Sequence, residues 1–477
     1  MLALLVLAVA PILSASPVAE PAARAVPAAQ PITTPSPASW IATKTAKHRR
    51  DLGDSLHSIL ADLGNVPSYV ASGVPNYFQD FPQGDKVISS LGLSSSDIAA
   101  LPTQVLNLPP YANWTDKGWN IRFRGNVLKQ PNISRSKLDD LANGFLIGTS
   151  VSQLPPDQAD QARNLTSEIY VVQQGNVSVS LHLEPAPSAG GSGEQGGGGA
   201  VTPTGGTQDI SLPYNTTKEG DFDVFVPIQQ NGLMAGNSTS QIQRLNVYAS
   251  GTTTGNATAY LVPDTGITIV SDIDDTLRIT KIYQPKEGLL NSFARPYVPW
   301  MNMPEIYRNF SMSIPNAHFH YLTTTPEQVT RNYMQYIYSS YPGGSFDTRP
   351  LNFSDVAATL SIRKALLVKV FQTFPKRKFI LMGDTSNSDV LRDYPAMTTE
   401  FPGQVLCILM RNVSSTDSAD RFPYNTGGYK DLNTNSYMFY NVPVSIPPPS
   451  IALAVVTKGV AHENCLYLRT ISRISTS

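Results

Sequence analysis

Three clusters of polar residues in the second half of the chain each follow a short, mainly apolar run. The runs occupy 267–270, 319–322 and 379–382, and the clusters are SDIDDT at 271–276, TTTP at 323–326 and GDTSNSD at 383–389. Runs of this length suit strands that are buried on both faces of a parallel sheet. Because the carboxyl ends of parallel strands meet at one edge, we expect the three clusters to line one crevice.

The first cluster holds two aspartates whose spacing suits phosphoryl transfer. Asp272 and Asp274 are two residues apart, so they point to the same side of an extended chain, whereas Asp275 is expected to face away. An aspartate is already ionised at neutral pH and can attack phosphorus without an activating base. We therefore predict Asp272 as the nucleophile and Asp274 as the general acid and base.

This chemistry calls for a cation, because an anionic nucleophile must approach an anionic phosphate. Asp272, Asp384 and a carbonyl near Asp274, together with waters, would form an oxygen-rich set with few carboxylates, which suits Mg²⁺. Asp389 is predicted to orient the waters or Asp384. The sequence thus predicts a magnesium site at Asp272, Asp274, Asp384 and Asp389.

A phosphate group also needs a hydroxyl and a fixed positive charge to hold it. Thr323, directly after the second apolar run, is the predicted hydroxyl. The predicted cation is Lys364, at the start of a helix-like stretch that precedes the Asp384 strand, with Arg363 as its neighbour and Lys369 as the second choice.

The N-terminal part of the chain has the pattern of a secreted protein. Residues 1–16 combine an apolar stretch with small residues and predict a signal peptide, with a buried N-terminal helix as the alternative. Residues 17–46 predict a disordered leader, and 47–114 a helical prelude. Sequons for N-glycosylation agree with a secreted or lumenal glycoprotein. They occur at Asn113, Asn132, Asn164, Asn176, Asn215, Asn237, Asn256, Asn309, Asn352 and Asn412.

Two further domains follow this region. Residues 115–265 alternate polar and apolar positions and predict an antiparallel β domain, interrupted by a Gly-rich loop at 186–207. Residues 266–445 predict an α/β domain with a doubly wound parallel sheet, because the spacers between its apolar runs can hold crossover helices. Residues 446–477 form a tail without a clear pattern.

The net charge, the apolar stretches and the cysteine count of the chain indicate which binding partners and covalent cross-links to expect. The net charge of −1 at pH 7 gives no sign of a nucleic-acid partner. After the N-terminus no stretch is long and apolar enough to span a membrane. The two cysteines do not make a disulfide scaffold; Cys407 is predicted to be a core residue, and a bridge to Cys465 is left open, as is the oligomeric state.

The motifs resemble the haloacid dehalogenase superfamily and, within it, the phosphatidate phosphatase catalytic-domain family known from a fungal actin-patch protein. The narrower resemblance lies in SDIDDTLRIT, LLNSFARPYVPWMNMPEIY, FHYLTTTP and FPKRKFILMGDTSNSD, at 271–280, 289–307, 319–326 and 374–389. It implies a haloacid dehalogenase-like fold and Mg²⁺-dependent hydrolysis of phosphatidate to diacylglycerol and phosphate through an aspartyl-phosphate. Thr385-Ser386 replaces the family's usual Ser-Gly, which bears on loop geometry and substrate choice.

Two other functions fit the same residues. One is a secreted phosphatase of soluble phosphomonoesters, and the other is a non-catalytic interaction protein with a relic phosphatase fold. The short segment between Thr276 and Thr323 leaves room only for a small cap, which suits a lipid headgroup presented at a membrane surface. In that case Phe293, Tyr297 and Trp300 are either interfacial contacts or core residues of this segment.

Overall fold

The structure is a computed structural model in which residues 84–186, 205–237, 242–314, 316–349, 356–417 and 425–443 are described. The predicted signal peptide and leader, most of the Gly-rich loop, Cys465 and the predicted tail lie outside these residues. Among the described residues, no helix combines the length and the apolar character needed to cross a membrane. The described part of the chain contains two β-sheets.

The first sheet has nine strands and is antiparallel except where β2 pairs with β9. Its strands are β1 (Thr103–Leu108), β2 (Tyr111–Thr115), β3 (Gly118–Lys129), β4 (Val172–Gln173), β5 (Ser180–Pro185), β6 (Gln208–Ser211), β7 (Asp221–Pro227), β8 (Gln243–Ala249) and β9 (Ala257–Leu261). The helices of this region are α1 (Gly84–Leu91), α2 (Ser95–Ala100), α3 (Arg135–Asn143) and α4 (Pro156–Ile169), and Val151–Gln153 forms a 3₁₀ turn. Buried and less buried positions alternate along β8, as the sequence pattern predicts for a sheet with one covered face.

The first sheet starts earlier than predicted. β1 and most of β2 lie within residues 47–114, so the prediction of a helical prelude was wrong for residues 103–114. The last four residues of β1 are all buried, because they contact cores on both sides of the strand. Such a strand lacks the polar alternation by which the other strands were recognised. The predicted β domain also contains α3 and α4 between β3 and β4.

The second sheet is parallel throughout and confirms the predicted α/β class with a parallel sheet. Its strands are β10 (Ile267–Ser271), β11 (His318–Pro326), β12 (Ser345–Arg349), β13 (Lys378–Asp384), β14 (Val405–Arg411) and β15 (Tyr437–Tyr440), in the order β12-β11-β10-β13-β14-β15. Its helices are α5 (Pro285–Phe293), α6 (Met303–Ser313), α7 (Thr330–Ser340), α8 (Val356–Thr373), α9 (Ser388–Glu400) and α10 (Val413–Thr416), with 3₁₀ turns at Glu327–Val329 and Gly427–Tyr429.

Helices cover both faces of the parallel sheet. Ile269 of β10 belongs to one core cluster with residues of α6 and α7, such as Tyr307. The next residue, Val270, belongs to a second cluster with residues of α8 and α9, such as Phe371. The chain leaves β10 toward β11 on one side and returns to β13 on the other. Open α/β sheets bind ligands at the carboxyl ends of strands at such a reversal.

A buried ion-pair cluster joins the two sheets. Arg122 of β3 lies 2.7 Å from the carboxylate of Asp347 in β12, and Arg124 contacts the other carboxylate oxygen. All three side chains are almost completely buried. Burial alone would raise the pKa of Asp347, but the two guanidinium groups hold it well below its usual range. Asp223 of β7 also pairs with Arg122 at 2.8 Å, so two carboxylates balance the two guanidinium groups.

We predict that Asp347→Asn destabilises the protein, because buried Arg124 loses the carboxylate that pairs with it and buried Arg122 keeps only its pair with Asp223. The expected loss is about 3–5 kcal/mol in the free energy of unfolding, measured by urea denaturation with circular dichroism. As a control, Asp264→Asn removes the exposed pair with Lys376 and should cost less than about 1 kcal/mol. Equal losses in the two variants would show that the cluster does not hold the sheets together.

Candidate active site

Asp272 stands at the carboxyl end of β10, beside the end of β13. Its backbone N–H donates to the carbonyl of Met382 at 2.9 Å, which continues the pairing of the two strands by one residue. Its carboxylate accepts hydrogen bonds from Arg363 Nη2 at 3.1 Å and from Asn387 Nδ2 at 2.8 Å. The side chain is buried. Asp272 is thus held from two further elements, α8 and the loop after β13.

Around Asp272, negative charge exceeds positive charge. Burial raises the pKa of Asp272 to about 6, although the guanidinium of Arg363 opposes this shift. The carboxylates of Asp389 and Asp274 add to the increase. A further positive charge near Asp272 would therefore favour the ionised form that a nucleophile requires.

Asp384 is the last residue of β13, the strand that pairs with β10. One of its oxygens accepts from the backbone N–H of Ser386 at 2.7 Å and from the Ser386 hydroxyl. The other accepts from Thr276 Oγ1 at 3.1 Å. Burial raises the pKa of Asp384 well above its usual range, and the negative charges of Asp272 and Asp275 raise it further.

Asp272 and Asp384 form a donor pair that suits a magnesium ion. Both are buried oxygen ligands on adjacent strands, and the field of one disfavours ionisation of the other. A divalent cation would offset this repulsion. In the described part of the chain, no three His, Cys, Asp or Glu side chains form a group that could hold a metal. The remaining ligands would then be backbone oxygens and waters, which Mg²⁺ accepts readily.

The other two predicted metal ligands have their carboxylates bound to arginines. Asp274 accepts from Arg278 Nε at 3.0 Å, and Asp389 accepts from Arg363 Nε at 2.8 Å. Oδ1 of Asp274 is thus engaged by Arg278, and Asp389 contacts the arginine that holds Asp272. The regular strand ends at Ser271, so Asp272 and Asp274 both lie in the loop that follows it.

Asp275 fixes the loop that carries both catalytic candidates. Its backbone has a φ of 55°, and its carboxylate accepts backbone N–H bonds from Thr280 at 3.1 Å, Lys281 at 2.7 Å and Ile282 at 2.9 Å. Its carbonyl accepts a hydrogen bond from Arg411 at the end of β14. The carboxylate of Asp275 thus bonds to the backbone of its own loop.

Thr323 lies within β11, two residues after Tyr321, the last residue that pairs with β10. Its side chain is buried, and its Oγ1 accepts the backbone N–H of Thr325 at 3.1 Å. The same oxygen donates to Thr325 Oγ1 at 3.0 Å. Since β11 is the neighbour of β10, this hydroxyl turn stands beside the loop of Asp272.

The structure brings Arg363, and not Lys364, to the site. The ammonium of Lys364 pairs with Glu400 of α9 near the surface, whereas Arg363 is fully buried and contacts Asp272. Adjacent residues on a helix point about 100° apart, so only one of the two can face the sheet. The second choice, Lys369, pairs with Asp223 of β7. Lys364, the cation predicted from the sequence, is thus not the residue that contacts Asp272.

A signal for Arg363 was present in the sequence. The buried positions of α8 include Leu366, Leu367 and Val370, which lie three, four and seven residues after Arg363. This spacing places all four side chains on the same face of the helix. Sequence reasoning also missed Asn387, Arg278 and Tyr333. Arg278 is only four residues after Asp274, whereas Tyr333 lies on α7, 59 residues away in the chain.

The segment that carries these residues is similar in sequence to known proteins. Residues 267–412 match the family model described as the phosphatidate phosphatase APP1 catalytic domain. The predicted family resemblance is confirmed for this segment. Phosphatidate phosphatase APP1 of Saccharomyces cerevisiae is 29% identical over 160 residues, which cover 32% of this chain and 27% of that protein. The uncharacterized protein C29B5.04c of Schizosaccharomyces pombe is 26% identical over 216 residues, which cover 43% of this chain and 33% of that protein.

The match is local but falls on the site. The chain spans only 27% and 33% of the length of the two relatives. The APP1-type segment runs from the first residue of β10 to the residue after β14, and it contains Asp272, Arg363 and Asp384. It excludes the nine-stranded sheet.

We predict that Mg²⁺ stabilises the protein through Asp272 and Asp384. Millimolar MgCl₂ should raise the melting temperature by roughly 2–4 °C, the shift expected for about 1 kcal/mol of binding-linked stabilisation. In Asp384→Asn this shift should disappear, while it should persist in Asp209→Asn, which changes an exposed carboxylate of β6. An undiminished shift in Asp384→Asn would contradict the assignment of this site.

Proposed function

We propose that residues 266–445 form a haloacid dehalogenase-like, doubly wound phosphatase domain that hydrolyses phosphatidate in the presence of Mg²⁺. The observation that carries the proposal lies within the APP1-type segment: Asp272 and Asp384 stand at neighbouring strand ends, and Arg363 of α8 contacts Asp272. The strand order of the parallel sheet, which reverses at β10, supports the same class of fold. The alternative of a relic without catalysis has less support, because the carboxylates and the arginine are all retained.

In the first step, a carboxylate oxygen of Asp272 attacks phosphorus and forms a P–O bond, while the bond to the diacylglycerol oxygen breaks. Asp274 gives its proton to that leaving oxygen. In the second step, Asp274 takes a proton from a water molecule that attacks the aspartyl-phosphate, which releases phosphate and regenerates Asp272. A bound Mg²⁺, held by Asp272 and Asp384, would supply charge compensation between carboxylate and phosphate.

Arg363 has two roles in this proposal. It orients the Asp272 carboxylate, which it contacts at 3.1 Å, and it provides a fixed cation for the phosphate oxygens. Asp389, 2.8 Å from Arg363 Nε, holds the guanidinium in place. On the neighbouring strand β11, the hydroxyl and the backbone of Thr323 are the proposed hydrogen-bond donors to the phosphate.

An apolar rim on the cap segment favours a lipid substrate over a soluble one. Phe293 and Trp300 are buried and thus belong to the core of this segment. On the same segment, Ile279 and Val298 are 36% and 50% exposed, and the backbone N–H of Ile279 donates to the carbonyl of Val298 at 2.9 Å. Met301 is also exposed. We propose that these side chains contact the bilayer beside the site.

A secretory location is part of the proposal. Several sequon asparagines are exposed in the structure and could carry glycans. They are Asn132, Asn164, Asn176, Asn215, Asn237 and Asn256. This context leaves the soluble-phosphomonoester phosphatase as the second candidate, because phosphate release outside the cell does not need a lipid.

We predict that Asp272→Asn abolishes Mg²⁺-dependent phosphate release from phosphatidate micelles, by at least about 10³-fold in kcat/KM, because the amide cannot form the acyl-phosphate. Asp209→Asn serves as the matched surface control and should keep full activity. Retained activity in Asp272→Asn would refute the nucleophile. A higher kcat/KM for glycerol phosphate than for phosphatidate would favour the soluble alternative, and no turnover of any phosphomonoester would favour the relic.

We predict that Arg363→Met and Lys364→Met differ strongly, although they remove positive charge from adjacent residues. Arg363→Met should lower kcat/KM by about 10²-fold or more, because the phosphate and Asp272 both lose their cation. Lys364→Met should lower it less than about threefold, since it removes only a pair near the surface. A comparable loss in Lys364→Met would return the phosphate-binding role to the lysine.

A further inference from the structure

An arginine next to the general acid is buried without access to water. The side chain of Arg278, four residues after Asp274, is fully buried. Its guanidinium carbon lies 3.5 Å from the ring centre of Tyr297 and 4.8 Å from that of Tyr333. Among the described residues, the carboxylate that pairs with it is Asp274. A buried charge of this kind is costly unless its partner and the aromatic faces compensate it.

The hydrogen bonds to Asp274 are distributed unevenly between its two oxygens. Oδ1 accepts from Arg278 Nε at 3.0 Å and from Thr280 Oγ1 at 2.7 Å. Among the described residues, Oδ2 accepts from Thr325 Oγ1 at 3.5 Å and is contacted by the hydroxyl of Tyr333. Oδ1 therefore accepts from more donors than Oδ2 does, and Oδ2 is the oxygen less committed to the protein.

Tyr333 stands between these two oxygens. Its hydroxyl is 2.9 Å from Oδ1 and 3.0 Å from Oδ2 of Asp274, and its single proton can be donated to either. While Oδ2 carries the acid proton, the hydroxyl can donate to Oδ1. Once that proton has left, the same hydroxyl can donate to Oδ2 without moving. Tyr333 can thus follow the change in charge of Asp274.

We propose that Arg278 and Tyr333 are positioning residues that present Oδ2 of Asp274 to the leaving oxygen and stabilise the carboxylate formed there. This inference rests on the proposed phosphatase function. In the step concerned, the Oδ2–H bond breaks and its electron pair stays on Asp274. The proton bonds to the diacylglycerol oxygen as the P–O bond breaks. The charge of Arg278 lowers the energy of the carboxylate at that moment.

The test compares two substrates that differ in their need for a proton. The leaving group of phosphatidate is the diacylglycerol alkoxide, which requires general acid catalysis. In the analogue with a bridging sulfur the leaving group is a thiolate, which does not. We would measure kcat/KM for both in the same micelles, because kcat/KM reports the formation of the aspartyl-phosphate. Tyr333→Phe and Arg278→Lys are the variants. Tyr333→Phe keeps the ring against Arg278 and removes only the hydroxyl.

We predict that the ratio of kcat/KM for the sulfur analogue to that for phosphatidate rises about tenfold or more in both variants, and most in Asp274→Asn. Adding Tyr333→Phe to Asp274→Asn should leave the ratio unchanged, because the hydroxyl acts through that carboxylate. The control is Tyr336→Phe on the same helix, whose hydroxyl donates to the carbonyl of Leu277 at 3.2 Å. It should leave the ratio at the wild-type value.

Equal losses on both substrates, with an unchanged ratio, would overturn the positioning role and leave Arg278 and Tyr333 as structural residues. Failure of the underlying function has a different signature, since the wild type would then hydrolyse neither substrate. A rise in the ratio for Tyr336→Phe as large as that for Tyr333→Phe would also refute the inference, because it would show a general disturbance of the helix.

Discussion

The electrostatic repulsion between Asp272 and Asp384 is the constraint on which the rest of the site depends. Parallel pairing of β10 with β13 brings the two carboxylates to one edge of the sheet, where burial removes the solvent that would screen them. The groups around the two carboxylates compensate this negative charge. Arg363 contacts one carboxylate, Ser386 and Thr276 donate to the other, and a divalent cation would complete the compensation.

Buried arginines also compensate other carboxylates of this protein. Arg278 balances Asp274, and Arg122 balances Asp347 between the two sheets. Arg411, whose guanidinium carbon lies 3.9 Å from the ring centre of Trp300, holds the carbonyl of Asp275. In each case, the charge comes from a different element than the group that it holds, except in the Asp274 loop. The loops of the site are therefore tied to the body of the protein by charge as well as by packing.

The nine-stranded sheet is more closely connected to the APP1-type segment than the limits of the match indicate. Leu106 and Leu108 of β1 belong to the same core cluster as Ile269 of β10. The ring of Tyr111 lies 5.7 Å from that of His320 and 5.5 Å from that of Phe374. Residues upstream of the match thus contribute to both core clusters that flank the parallel sheet, and removal of the nine-stranded sheet would expose these clusters.

The sequence by itself determined the parallel strands, the clusters at their ends and the places of Asp272, Asp384 and Thr323, because a buried strand and the loop after it are local patterns. The tertiary structure decided what depends on orientation between elements. It brought Arg363 and not Lys364 to the site, since the rotation of α8 against the sheet determines which side chain faces inward. It also decided the partners of Asp274, because Tyr333 approaches from a helix that is 59 residues away in the chain. A side chain that lies far along the sequence reaches a carboxylate only through packing, and packing has no short-range signature.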